Sequence, residues 1–486
     1  MPVPIRARFS LRAAAVLAVL FLIAPAGRLR AAGRSFDDDF APRSMRLDYF
    51  HSGTSSEEHI SLDRVVSDGP WAGSRARLLD ETGLGKYFFE IIDPKTNRAL
   101  YSRGFSSIYG EWETTGEAKE IWRTFHESLR FPQPKKRISV RLSKRDAKGI
   151  FHELWSSSID PASRGVNPKD IEPLGKVWSV FENGPAENHV DLLILGDGYS
   201  ASEITKFHAD VGRLVRRLFD TDPFKSRRSE FNVRALDLPS GKSGVSRPHL
   251  GEFRRSRFSA DYSAFDSERY VLSFDNRAIR DAASAAPYDF FIVVVNERTY
   301  GGGGIFNCQA TVAADSAFAE YVFVHEFGHS FAGLGDEYFT SEVAYETGGK
   351  EHPEPWEPNV TAHPAKEELK WAELLSPSIV LPTTWKKDEF EKASREYQKK
   401  RKALRESRAP EEEMEKLFFS EKKIETELFA KEADAGKVGA FEGAGYEAVG
   451  LFRPSVDCIM FSRNDVGFCS VCRRAIEKMI DLYAGR

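Results

Sequence analysis

Cysteine is scarce in this chain: four residues in 486, and three of them, Cys458, Cys469 and Cys472, fall close together near the end while Cys308 stands alone. So few exclude a small fold stapled throughout by disulfides. Charge of one sign is lacking as well. With 69 basic and 73 acidic residues the net charge is −4, and nothing resembles the concentrated basic stripe that nucleic acid demands. Long hydrophobic runs are missing too. The stretch from Ala13 to Ala24 is about a dozen residues, too short to span a bilayer in the mature protein.

That short run is informative in its own right. Arg6, Arg8 and Arg12 precede it with no acid, and Ala24-Pro25-Ala26 follows it, the pattern of a secretory signal with a small-residue cleavage site. Residues 1–26 are therefore expected to be removed, which takes away three arginines and no acids and moves the net charge from −4 to −7. The expectation is a secreted or periplasmic protein without stable membrane insertion.

The remaining length predicts two domains. From Ser44 to Trp155 apolar residues alternate, as in Met45, Leu47, Tyr49 and Ile138, Val140, Leu142, with turn residues between the runs. Residues 36–160 are expected to form an antiparallel β-sandwich, with hairpins across Asp93–Asn97 and Lys144–Gly149. Residues 161–177, rich in Pro, Ser and Gly, are expected as a linker. Beyond them strands and helices alternate: an apolar Val190–Leu195, a helical Ser202–Phe219, and an apolar run ending at Val295. The second domain, residues 178–486, is thus expected to be α/β, giving an α+β two-domain chain. Gly196-Asp197-Gly198 lacks the remaining residues of a phosphate-binding loop and is expected as a tight turn. Tyr300-Gly301-Gly302-Gly303-Gly304 is either a strand edge that lets backbone come close or a flexible connection. Residues 386–434, highly charged and broken at Arg408-Ala409-Pro410, are expected as an inserted helical hairpin. Its sparse stripe of Met414, Leu417, Phe418, Ile424 and Leu428 suggests a solvated arm, or one that docks a partner or gates a substrate.

The chemistry concentrates in His325-Glu326-Phe327-Gly328-His329. On a helix the two histidines sit one turn apart on one face, the separation that grips a single tetrahedral zinc. Glu326 then lies beside the metal, where a carboxylate can take a proton from a water the metal has acidified. The implied chemistry is peptide hydrolysis, with Zn2+ as cofactor and a protein or peptide as substrate. The apolar Phe318–Val324 before the motif predicts a buried helix, and Gly333 and Gly335 offer its exit. A third ligand is needed. His352 and His363 lie in a proline-rich loop, so a carboxylate is the better candidate: Asp336, just past the turn, with Glu337 as the alternative. In an exported chain the late cysteines read first as disulfide partners.

The string from His325 to Tyr338, with Tyr300–Gly304, Gly439–Gly445 and Cys458-Ile459-Met460, resembles the immunoglobulin A peptidase family of metzincin-like zinc metallopeptidases. The resemblance covers the second domain and implies a zincin-like catalytic fold, and the first domain is similar to the amino-terminal domain such proteins carry. It places Met460 in a turn beneath the metal. The chain departs from the metzincin pattern in that the usual third-ligand position holds Gly335, so the choice between Asp336 and Glu337 stays open. Where some metzincins keep a tyrosine to support the oxyanion this chain has Ser462, leaving Tyr338 or Tyr446 as substitutes. Cys458, Cys469 and Cys472 also resemble the archaemetzincin arrangement, which implies a second, structural zinc as the alternative to a disulfide. The expected function is a secreted zinc endopeptidase with Glu326 as general base; the alternative is a non-catalytic exported binding or adhesion protein with a zincin-like domain.

Overall fold

The computed structural model describes residues 35–168, 172–340 and 352–486. The stretch expected as a signal sequence, residues 1–26, lies outside the described residues. Among the described residues no helix is long and apolar enough to cross a membrane.

After a single turn, α1 (Phe36–Asp39), the amino-terminal region builds two four-stranded sheets. In the first, β1 (Phe40–Gly53) lies between β2 (Glu58–Pro70) and β5 (Arg123–Pro134), both antiparallel to it. The second has the order β4 (Arg98–Phe105), β3 (Tyr87–Asp93), β6 (Ile138–Arg145), β7 (Phe151–Ile159), and contains both expected hairpins. Alternation builds one core from two faces: Met45, Leu47 and Tyr49 meet Phe89, Ile91, Val140 and Leu142. Pro132 and Pro134 are tolerated because β5 is an edge strand. One pair departs from a purely antiparallel reading. Val166–Asn167, inside the stretch expected as linker, forms β8 and runs parallel to β2.

The other face of β1 looks solvent-directed in the sequence and is not. Arg46, Asp48 and Asp68 are fully buried, with Arg46 bonded to Asp48 at 2.9 Å, to Asp68 at 2.6 Å and to Asp281 from the second region. Arg130 donates to the Tyr288 carbonyl at 2.8 Å across the same seam. Apolar residues continue it, as Tyr109 and Trp112 of the short helix α2 (Ile108–Trp112) join Phe125, Phe265, Leu272 and Ile305 in one cluster.

The second region is organised by a six-stranded sheet. Its centre, β10 (Val190–Asp197), pairs in parallel with β11 (Phe231–Asp237) and with β14 (Phe290–Val295), and β14 with β16 (Gln309–Ala313). β9 (Lys176–Phe181) and β15 (Gly302–Ile305) close the two edges antiparallel. Every residue of β10 and β14 is buried, as expected for strands covered on both faces. Helices α3 (Ile204–Phe219) and α5 (Ala319–Ala332) cover one face, and α4 (Asn276–Ala283) the other, next to a two-residue pair, β12 (Ala260–Asp261) with β13 (Leu272–Ser273). Of the stretch expected as a tight turn, Gly196 and Asp197 instead end β10 and only Gly198, with φ of +75°, bends away; Asp197 accepts backbone hydrogen bonds from Phe258 and Ala260. The charged segment forms α6 (Lys387–Glu406) and α7 (Glu411–Phe429), followed by the hairpin β17 (Phe441–Ala444) and β18 (Glu447–Arg453) and the last helix α8 (Ser470–Tyr483). The α6–α7 pair is no detached arm: Phe390, Tyr397, Met414, Phe418 and Phe429 enter the main core, while Ile424 stays 45% exposed.

Candidate metal centre

The site is assembled on α5. Its residues Val322 to Val324, Phe327, Gly328 and Phe331 are buried, so the helix is pinned nearly all round by packing. It ends at Gly333, whose φ of +61° is the left-handed conformation that lets the chain reverse. Four residues apart, His325 and His329 face the same way, and the reversal carries Asp336 back to them. His325 Nε2 and His329 Nε2 are 3.0 Å apart, and Asp336 Oδ1 is 3.1 and 3.2 Å from them.

The outer nitrogens decide what those three atoms are. His325 Nδ1 lies 2.9 Å from the Ile459 carbonyl and His329 Nδ1 2.5 Å from the Leu334 carbonyl. A carbonyl can only accept, so each Nδ1 donates and each Nε2 presents a lone pair inward. Two lone pairs and a carboxylate oxygen then confront one another, and Asp336 Oδ1 has no hydrogen-bond donor. Such a triangle holds together only around a positive charge. Tetrahedral zinc with bonds of about 2.0–2.2 Å separates its ligand atoms by about 3.3–3.6 Å, slightly wider than the observed 3.0 to 3.2 Å. The donor set therefore fits a zinc ion. With the metal absent a proton must serve: burial works against it, yet the Asp336 carboxylate outweighs burial and raises the His329 pKa to about 9. Burial likewise opposes ionisation of Asp336, and the two imidazoles overcome it, holding the carboxyl well below its usual range.

Glu326 stands beside this triangle, its carboxylate within 4.8 Å of both imidazoles. Burial raises its pKa, against the pull of His325 and His329, which suits a group that must take up a proton near neutrality. Met460, fully buried, packs its thioether beneath Gly328, where an added Cβ would lie 3.2 Å from the sulfur. The turn that carries it, closed by Phe461 and Ser462 N–H groups donating to the Cys458 carbonyl, also supplies the Ile459 carbonyl that orients His325. Ser462 bonds Asp457.

Asp336 and Glu337, alternatives in the sequence, separate in space. Glu337 turns away from the histidines; its Oε1 accepts from Asn359 at 2.9 Å and lies 3.3 Å from Cys472 Sγ. Tyr446, considered for the oxyanion, instead donates to Asp336 Oδ2, and so holds the carboxylate in place. Tyr338 lines the cleft and accepts from Arg269 at 3.3 Å, which leaves its own proton free to be donated elsewhere. His352 packs by Gly450 and His363 pairs with Glu354, so neither joins the site.

The cleft over these residues has a volume of about 620 Å³. The glycine run forms its edge strand, β15, and lies against α5 so tightly that a Cβ at Gly304 would meet the Glu326 carbonyl at 2.4 Å and one at Gly302 the Val322 side chain at 2.6 Å. Two walls were hidden in the sequence. The amino-terminal region contributes Lys86, Glu111 and Arg145, and the charged hairpin contributes Tyr397, Arg401 and Glu425. Asn359, which clamps the Gly335 backbone from both sides at 2.7 and 2.9 Å, was also missed, since nothing marks an asparagine in a loop two dozen residues away.

Comparison with known families fixes the class of this protein as a peptidase. A family model described as IgA Peptidase M64 matches residues 179–480, and one described as Peptidase M64 N-terminus matches residues 35–156. The chain belongs to the IgA peptidase M64 family. No curated protein matches it.

Proposed function

We propose that this chain is an exported zinc endopeptidase of metzincin-like type, its amino-terminal sheets forming a β-sandwich beside the catalytic domain. The observation that carries the reading is the triangle of His325 Nε2, His329 Nε2 and Asp336 Oδ1, 3.0 to 3.2 Å apart, lining an open cleft. His325, His329 and Asp336 would hold the metal, which when bound acidifies water and polarises a carbonyl. Glu326 accepts a proton at its carboxylate and returns it to the leaving amine nitrogen. Tyr338, kept protonated by burial, donates toward the developing oxyanion, while the backbone of β15 aligns an extended peptide. Met460 supports the helix from below.

Membership of a peptidase family does not favour the binding-protein alternative. The test is Glu326→Gln. It is expected to keep bound zinc and the folded state while kcat falls on the order of 10³-fold or more on an unstructured protein substrate. Unchanged turnover would remove Glu326 from its role.

A further inference from the structure

Glu337 does not point into empty packing. Its carboxylate meets Cys458, Cys469 and Cys472, and one oxygen and three sulfurs all lie within 4.8 Å of one another. Cys458 and Cys472 sulfurs are 3.9 Å apart, and Cys472 Sγ is 3.3 Å from Glu337 Oε1. Zinc with three sulfurs at about 2.3 Å and one oxygen at about 2.0–2.2 Å would set S···S near about 3.8 Å and S···O near about 3.5 Å.

A second observation points the same way. Glu337 is completely buried, and its Oε2 has no hydrogen-bond partner. A carboxylate stranded in the core is costly unless a cation meets it. A disulfide does not resolve this, because pairing any two of the three cysteines leaves the third thiol and the carboxylate facing each other. The four cysteines are all unbonded in the structure. The Cys469 N–H donates to Cys458 Sγ at 3.3 Å, a bond that favours a thiolate there. Arg453, fully buried, lies within electrostatic reach of Glu337 and Cys458 and offsets the excess negative charge of three thiolates and a carboxylate.

We propose that Glu337, Cys458, Cys469 and Cys472 form a closed structural zinc site behind the cleft. Three sulfurs select a soft or borderline cation, and four protein donors leave no position for water. None of the four residues lines the cleft. The site joins the loop after α5, the turn bearing Met460 and the start of α8. It thereby fixes Asp336, one residue from Glu337, and Ile459, whose carbonyl orients His325. The proposal does not depend on the hydrolytic reading.

The experiment uses the full chain and its His325→Ala/His329→Ala variant, purified with zinc and, separately, with cobalt. Expected are two metal ions per chain in the parent and one in the variant, with a thiolate-to-cobalt charge-transfer band of equal strength in both. Three of the four cysteines should resist alkylation until a chelator is added. Glu337→Gln should weaken the charge-transfer band and leave the three thiols open to alkylation and countable without a chelator. The proposal is overturned by a variant that binds no metal, by cobalt spectra without the band, or by peptide mapping that finds any two of Cys458, Cys469 and Cys472 joined in a disulfide.

Discussion

Asp336 and Glu337 are neighbours in the chain, yet they serve opposite surroundings. Asp336 faces two imidazoles at the floor of a cleft, and Glu337 faces three sulfurs in the core. The first cluster offers three donors and an open side, the second four donors and none. An open position is what a reacting group needs, whereas a closed shell can only brace. Adjacent acids on an extended segment point to opposite faces, so one short loop supplies both clusters.

That contrast can be broken in several ways. The largest effect is expected from His329→Ala, which should abolish hydrolysis and empty the open cluster while leaving metal with the cysteines; metal analysis and a cleavage assay read both. Asn359→Ala should disturb the two clusters together, because Asn359 holds the Gly335 backbone and the Glu337 carboxylate alike. Metal affinity is expected to fall about 10–100-fold at each, measured by chelator competition. Tyr446→Phe removes a donor to Asp336 alone, so the weakening, about tenfold, should be confined to the open cluster. Protons supply the gentlest probe. His329 in the metal-free protein keeps a proton up to about pH 9, so metal binding at neutral pH must expel it. Affinity of the open cluster should therefore rise about tenfold per pH unit from pH 7 toward 9 and level off above, and a flat profile would contradict the coupling of His329 to Asp336.

A separate prediction concerns the seam between the regions. Arg46→Ala removes one of the two arginines that each of Asp48 and Asp68 meets, leaving Arg64 on Asp48 and Arg130 on Asp68, and a loss of about 1–3 kcal/mol in unfolding free energy is expected in urea titrations.

What could be read from the sequence follows from how local each signal is. The spacing of His325 and His329, the glycine exit and the position of Asp336 are encoded within a dozen residues: helical periodicity brings the histidines to one face and the reversal at Gly333 returns Asp336 to them. Both hairpins of the amino-terminal sheets were legible for the same reason. Glu337 was ambiguous because direction along an extended loop depends on partners, Cys458 and Cys472, more than a hundred residues away. Arg46 and Asp48 alternate with Met45 and Leu47 as a solvated face would, and only the second region, packed over them, makes that face interior. The charged hairpin misled in the same manner: Phe390, Met414, Phe418 and Phe429 enter the core while Ile424 and Phe419 stay exposed, and several of its polar residues line the cleft.

The cleft borrows one wall from each of two pieces of chain that share no chemistry. Lys86, Glu111 and Arg145 line it together with Tyr397, Arg401 and Glu425 and with His325, Glu326 and His329. Preference for a given polypeptide can therefore drift by changes in either flank while the floor stays untouched, and exchanging the first 160 residues with those of a relative should retune what is cut without altering how.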